Sequence, residues 1–325
     1  MKKCRLCGSI ELSKYYAPQE SVKIYNCLRC ELKQMITPPE DEVDSTAAEQ
    51  SVSQDVDRNT SIEDMKINER LGLSGDMHRM AHVMMQDSTR INQTIKQIID
   101  NSSDLDDSSR FIDVGSGYGQ HSFNLKEEFP NMDIHLLEIS KKRIQSGIDC
   151  FRPNLNDFTF YHCLLDDSFA NEHAEKFDIS FSFHVLEHVY DIRSFIKNIF
   201  AITKEGGSII IEVPNEDDDL CLLSDNYRKI IHFASHVSCF TKDTLTQLVK
   251  EAGISKKVEI EFLPIQRYGF FNYIDWVRHN QKDKVLGDDY ISRENPSWIE
   301  RHWLQTKKQN FTTDSIAMIL KKRKW

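Results

Sequence analysis

No apolar run in the 325-residue chain approaches the roughly 18 residues that a membrane-spanning helix requires. Positive charge is in deficit as well: 41 lysines and arginines stand against 51 aspartates and glutamates, a net charge of −10. Strong non-specific attraction to nucleic-acid phosphates or anionic lipid is therefore not expected. Behind Met1-Lys2-Lys3-Cys4 there is no apolar stretch of the kind a secretion signal carries, which predicts a cytoplasmic protein with no membrane span and no nucleic-acid partner. Solenoid-type repeats are missing. Aromatic residues are absent from Glu40 to Asp64, a stretch rich in Glu, Asp, Ser, Gln and Thr that cannot bury enough apolar surface to offset its ordering entropy. Residues 37–61 are expected to be an acidic linker, in a chain long enough for two or three folding units.

Eight cysteines without an export signal are not expected to form disulfides, because a reducing cytosol keeps thiols free unless a metal or a reaction holds them. Four of them form a pattern. Cys4-Arg-Leu-Cys7 and Cys27-Leu-Arg-Cys30 are two CxxC knuckles separated by 19 residues, within the spacing that folds two tight turns around one tetrahedral ion. Gly8 follows the first knuckle, where a turn needs a residue tolerant of positive φ, and no His or carboxylate in the pattern offers an open coordination position. The expectation is a structural Zn²⁺ held by Cys4, Cys7, Cys27 and Cys30 in a zinc-ribbon head over residues 1–36.

From residue 62 to 104 the pattern is helical, with Ile91, Ile95, Ile98 and Ile99 recurring at three- and four-residue steps and Met77, Met80, Met84 and Met85 close to the same period. The Met cluster is expected to be packing surface. A different rhythm begins at Arg110. Phe111–Val114, Asp133–Leu137, Phe158–Tyr161, Phe177–Phe183 and Ser208–Val213 are short β-rich runs separated by helical or loop segments. Strands alternating with helices imply parallel βαβ units covered on both faces. Residues 105–265 are thus expected to form an α/β domain, a Rossmann-like, doubly wound, mostly parallel sheet whose ligand lies beyond the carboxyl ends of the strands.

Those ends carry chemistry. The first strand runs into Asp113-Val-Gly115-Ser-Gly117-Tyr-Gly119, a turn that lets a ligand approach the backbone and exposes helix N-terminal amides. A dinucleotide fingerprint is not matched, because its third glycine falls on Gln120; an anion at Asp113 suits an amino group or a sulfonium better than a pyrophosphate. Glu138, 25 positions after Asp113, ends the second strand, where a carboxylate can accept both ribose hydroxyls of an adenosine. The third strand leads to Asp166, which could accept an adenine amino group. His184-Val-Leu-Glu187-His188 ends the fourth. It matches the H-x-x-E-H zinc-peptidase pattern, but that pattern needs one long helix, and the run before His184 is strand-like.

These residues resemble the class I S-adenosylmethionine-dependent methyltransferases: the Asp113–Gly119 turn is similar to their first motif, Glu138 to their ribose-binding acid, and His184–Val189 to their fourth-strand segment, with similarity continuing through Lys204–Gly207 and Ile211–Asn215. The resemblance implies that Asp113, Gly115, Gly117 and Gly119 hold the methionine part, Asp166 the adenine side and His184 the wall beside the methyl group. The zinc-binding head makes the chain similar to sugar methyltransferases, including those acting on carbon of deoxysugar nucleotides, and the tail (Gln266-Arg267-Tyr268, Tyr273, Trp276, Thr313–Ile316) resembles methyltransferase-like proteins of surface-polysaccharide genes. By that resemblance the cofactor is S-adenosylmethionine, the partner is a small saccharide acceptor, and residues 266–325 complete the acceptor site.

In the carbon enzymes a catalytic acid–base segment follows the fifth strand. The corresponding stretch here, Phe233–Thr241, keeps His236 and has Ser235 in place of the carboxylate, which favours oxygen over carbon methylation. A sugar hydroxyl needs help to lose its proton, so His236 is the first candidate for general base, with His184 and His232 behind it. A second divalent metal could be gripped by Glu212, Asp217 or Asp218. The Lys321–Lys324 end is expected to be a solvated tail. Competing readings are a deoxysugar C-methyltransferase, an inactive zinc-headed binding module, and a metal-dependent hydrolase built on His184 and His188.

Overall fold

A computed structural model describes residues 2–16, 23–36, 75–232, 235–280 and 296–324, with side chains in the first helix from residue 87 onward. The acidic linker, the start of the helical segment and the side chains of Met77, Met80, Met84 and Met85 lie outside the described residues. Among the described residues no helix is long and apolar enough to cross a membrane. The chain separates into two compact units, one of residues 37–165 and 176–181, the other of residues 1–36, 166–175 and 182–325.

The first of these contains helix α1 (Gly75–Asp100), strand β4 (Arg110–Val114), α2 (Gln120–Glu128), β5 (Asp133–Leu137), α3 (Lys141–Phe151), β6 (Phe158–Tyr161) and most of β7 (Phe177–Phe183). Strand β5 lies parallel to β4 with Phe111 opposite Ile134, β6 continues beside β5, and β7 flanks β4 on the other side with Ile179 opposite Phe111. Phe111, Ile112, Val114, Ile134, Leu136 and Leu137 are all buried, the continuous apolar pattern of strands covered on both faces. The chain builds outward from β4 on one side and then returns to its other side. That reversal opens a crevice at the carboxyl end of β4, where the glycine turn begins. Ile91 and Ile95, one helical turn apart, are the buried stripe of α1.

The second unit begins with a small antiparallel sheet of β1 (Leu12–Tyr16), β2 (Ile24–Cys27) and β3 (Lys33–Met35), extended by β9 (Ser238–Cys239) from far along the chain. Its larger antiparallel part is β8 (Thr203–Pro214), β10 (Val258–Ile265) and β11 (Ser315–Lys322), with Met318 opposite both Ile211 and Phe262. The helices are α4 (Asp167–Glu172), α5 (Ile192–Ile202), α6 (Leu220–Leu223), α7 (Asp225–Ile231), α8 (Lys242–Glu251), α9 (Phe270–His279) and α10 (Trp298–Asn310). Within the units the strand order is β7-β4-β5-β6 in the first and β10-β11-β8 in the second.

Two expectations for the tail change here. Residues 315–322 are an interior strand, paired on both edges, so this part of the tail belongs to the sheet itself. Lys322 is not a solvated tail residue: its Nζ donates to the Thr203 carbonyl at 2.8 Å and to Glu175 at 3.0 Å, and the residue is buried. Trp276 is likewise core, packed edge-on against Tyr227 beside Leu220 and Cys221.

Candidate active site

Strand β4 delivers the chain into the glycine turn with Gly115, Gly117 and Gly119 all at positive φ, 76°, 58° and 75°. The amides of Gly115 and Ser116 donate to the Leu137 carbonyl (2.7 and 3.1 Å), and the Gly117 amide donates to Glu138 Oε2 (2.9 Å). Glu138 Oε1 accepts the Ser140 amide at 2.8 Å, so the carboxylate is fixed from both sides. Each of its oxygens has a second lone pair with which to receive one hydroxyl of a diol. A Cβ built on Gly117 would meet nothing within 4 Å. This left-handed residue backs onto open space, a cradle that fits an adenosine-bearing ligand approaching the backbone.

Removing the Glu138 carboxylate strips acceptors from two backbone amides and, on its expected role, from the ribose as well. Glu138→Ala is expected to weaken S-adenosylmethionine binding ten- to hundredfold, roughly 1.5–3 kcal/mol, measured by calorimetry. Wild-type affinity in this variant would move the ribose site elsewhere.

Asp113 is placed differently from its expected role. Its carboxyl is 2% exposed and accepts the Ser122 hydroxyl at 2.8 Å, and burial pushes its pKa up to about 7. It braces the turn against the first residues of α2. Gly147, which the sequence pattern does not single out, proves to matter: a Cβ there would lie 1.7 Å from the Tyr118 carbonyl oxygen in the middle of the glycine turn.

Asp166 and His184 belong to the other unit. Asp166 is the N-cap of α4, its Oδ1 accepting the Phe169 amide at 2.8 Å. His184 stands at the tip of β7 with φ at 52°, and Leu186–His188 form a single 3₁₀ turn in place of the long helix a zinc peptidase requires. Arg267 Nη1 donates to His184 Nε2 at 3.2 Å, which fixes the ring proton on Nδ1, where it is given to Glu187 Oε1 at 3.2 Å. With its lone pair held by a guanidinium, His184 is not arranged as a base. Arg267 was not expected here. Its backbone amide and that of Tyr268 donate to Asp314 at 2.9–3.0 Å, a carboxyl that burial pushes up to about 7.

His232 is completely buried. Its Nε2 meets Glu216 Oε2 at 2.7 Å, while Lys33 takes the other oxygen at 2.9 Å. His232 Nδ1 has no hydrogen-bond partner but is buried with the rest of the ring, so the cluster ties elements together and presents no nitrogen at the surface. His236 donates Nδ1–H to the Ile231 carbonyl at 2.7 Å and lies edge-on to His188, ring centres 4.9 Å apart. Burial, with the neighbouring His188, lowers its pKa to about 3. Burial also raises Glu187 to about 8. Among the carboxylates considered for a second metal, Asp218 is buried and occupied by Lys307 Nζ (2.9 Å) and the Tyr227 hydroxyl (2.7 Å).

The four head cysteines converge, their sulfurs all within 4.8 Å of one another. Cys4 to Cys30 is 3.5 Å and Cys7 to Cys27 is 3.6 Å. A tetrahedron with Zn–S bonds of about 2.3 Å has edges of about 3.8 Å, so the donor set fits a four-thiolate ion. The two knuckles are built alike: the Gly8 amide donates to the Cys4 carbonyl and the Glu31 amide to the Cys27 carbonyl, both at 2.9 Å.

A Rossmann-like sheet with a glycine turn at its reversal point and a fixed carboxylate at the next strand end defines the architecture of an adenosine-binding α/β enzyme. Residues 86–256, just over half of the chain, match the family described as a methyltransferase domain, and the chain belongs to that family. It is a methyl-transfer enzyme of the S-adenosylmethionine-dependent class. YrhH of Bacillus subtilis (strain 168), named as a methyltransferase without an acceptor, is 19% identical over 155 residues, 46% of this chain and 85% of YrhH. Among solved structures, a chain from the Haloferax volcanii complex of the Trm112 methyltransferase activator with a methyltransferase is 13% identical and covers 77% of this chain and 97% of its own, with a TM-score of 0.50. A SAM-dependent methyltransferase from Archaeoglobus fulgidus is 12% identical over 79% of this chain and 99% of its own, with a TM-score of 0.47.

Proposed function

We propose that the enzyme transfers the methyl group of S-adenosylmethionine to a hydroxyl of a small saccharide, with Zn²⁺ in the amino-terminal head as a structural ion. The saccharide acceptor rests on the resemblance of head and tail to sugar methyltransferases. Oxygen as the receiving atom is carried by one observation: Ser235 stands where a carbon enzyme has its carboxylate, and its carbonyl accepts His188 Nδ1–H at 2.8 Å.

In the reaction the acceptor oxygen bonds the methyl carbon as the carbon–sulfur bond breaks. The sulfonium leaves as a neutral thioether, and the hydroxyl proton is released. Most of the acceleration then comes from holding donor and acceptor at near-attack distance. Cys4, Cys7, Cys27 and Cys30 would hold the zinc, which supplies fold and no chemistry. The purified enzyme, given S-adenosylmethionine and a panel of nucleotide sugars, is expected to yield a singly methylated sugar by mass spectrometry. Exchange of a substrate C–H with deuterated water in the absence of donor would instead assign a carbon acceptor.

The general-base role expected of His236 changes with its environment. A base works best with its pKa near the operating pH, and an imidazole held at about 3 is a weak proton acceptor. Its part is in placing the acceptor, and the Ile231 hydrogen bond leaves it one lone pair, on Nε2, with which to do so. The folded pKa lies below the unperturbed His value of about 6.5, so the ring stays neutral through that range. By NMR, the His236 Cε1–H resonance is expected to hold its position between about pH 8 and pH 5. A titration near 6.5 would restore the base assignment.

A further inference from the structure

Glu187 and His188 sit side by side in the 3₁₀ turn after β7, and His236 reaches them from the segment between α7 and β9. One ligand atom from each lies within 4.8 Å of the others. Both imidazoles are held in the same sense. His188 Nδ1 is 2.8 Å from the Ser235 carbonyl and His236 Nδ1 is 2.7 Å from the Ile231 carbonyl. A carbonyl oxygen only accepts, so each ring carries its proton on Nδ1 and its lone pair on Nε2. A backbone carbonyl behind one ring nitrogen is how proteins orient a metal-binding histidine. His188 Nε2 stands 4.0 Å from Glu187 Oε1.

Glu187 supplies an independent sign. Its Oε1 is taken by His184 Nδ1–H, but Oε2 is buried with no hydrogen-bond donor, in a residue only 2% exposed. A buried carboxyl oxygen left without a partner is costly, and a cation at this point would pair it. The other mixed cluster in this unit, Glu216, His232 and Cys239, shows the contrast, since Lys33 already neutralises it.

We infer that Glu187, His188 and His236 form a three-ligand site for a first-row divalent cation, whose coordination positions beyond these three would be reached from the side of His188, 40% exposed. Two neutral imidazoles and one carboxylate are a donor set suited to Mn²⁺, Fe²⁺ or Zn²⁺. The open positions would take hydroxyl oxygens of the acceptor, a use that rests on the O-methylation reading; the binding of the ion does not. The expected ligands are not those of the H-x-x-E-H pattern, because His184 is turned to Arg267 and the second imidazole comes from 48 residues beyond His188.

The full chain with its zinc in place is titrated with Mn²⁺ alone, free Mn²⁺ being read by electron paramagnetic resonance; the hard cation discriminates against the four-thiolate head. One Mn²⁺ per chain is expected, weakened by at least about tenfold in His188→Gln and in His236→Gln. His188→Gln alters an exposed side chain, so retained circular dichroism and zinc content show that the loss is not unfolding. His184→Gln is expected to keep the ion. No uptake at millimolar Mn²⁺, wild-type affinity in His188→Gln, or loss confined to His184→Gln would each overturn the site. Binding that persists while every sugar acceptor fails would leave the ion site standing and remove only its use in O-methylation.

Discussion

Cys4→Ser is expected to release the zinc and unfold the head, and the damage should not stop there. A head of this size has too little apolar core to fold alone, and a structural Zn²⁺ contributes on the order of 10–16 kcal/mol of binding energy to the folded state. Losing one of four ligands removes a share comparable with the whole stability of a domain, about 5–15 kcal/mol. A linker after residue 36 suggests a head that melts by itself, but the structure ties it into the sheet. Strand β3 pairs with β9, Lys33 opposite Cys239 and Gln34 opposite Ser238. Arg5 Nη1 donates to the carbonyls of Met35 and Val237 at 2.6 and 2.9 Å. Ile24, Met35 and Val237 share one apolar cluster.

The segment that loses these supports is the one carrying His236. Turnover should therefore fall by about 10² or more, the scale expected when acceptor-positioning groups shift by an ångström. Donor affinity should survive, because the bonds that fix Glu138 to the Gly117 and Ser140 amides lie within their own unit. Metal analysis, limited proteolysis of residues 2–36, turnover and donor calorimetry on one preparation test the chain of effects. Zinc retained at full occupancy, or full turnover without it, would break it.

What the sequence displays depends on whether the determining contacts are local. The cysteine knuckles and the glycine turn are legible because turn geometry and ligand spacing are properties of a few adjacent residues, and β4 and β5 because strands covered on both faces read as unbroken apolar runs. Strand β11 has that composition too, but its meaning comes from pairing with residues more than 100 positions earlier in β8. Lys322 looked like solvent-facing charge because nothing near it in sequence reveals Thr203 and Glu175. The Arg267–His184 bond spans 83 positions, and it reverses the role of that histidine. His236 is a candidate from its place in the chain alone, but its burial, which sets its basicity, is a tertiary property.

Gly147→Ala is expected to damage donor binding. On helix propensity alone the change should help, by about 0.8–1.0 kcal/mol. The contact decides otherwise. The new Cβ would stand 1.7 Å from Tyr118 O, 2.7 Å from Tyr118 C and 3.0 Å from Tyr118 Cα, all backbone atoms that cannot swing aside. Either α3 backs away or the turn moves, and overpacking of this kind costs roughly 1–3 kcal/mol, sometimes more. Tyr118 lies between Gly117, whose amide is bound to Glu138, and Gly119, the N-cap of α2, so a displaced carbonyl pulls on both. Donor affinity should drop by about 10² or more, with stability lower by about 1–3 kcal/mol. Gly117→Ala is the companion measurement. Its Cβ meets no protein atom, so the variant should lose only about 1–2 kcal/mol for the left-handed backbone while its methyl intrudes on the donor's approach. Both variants binding S-adenosylmethionine as the wild type does, by calorimetry on protein shown folded by thermal melting, would remove the donor from this turn.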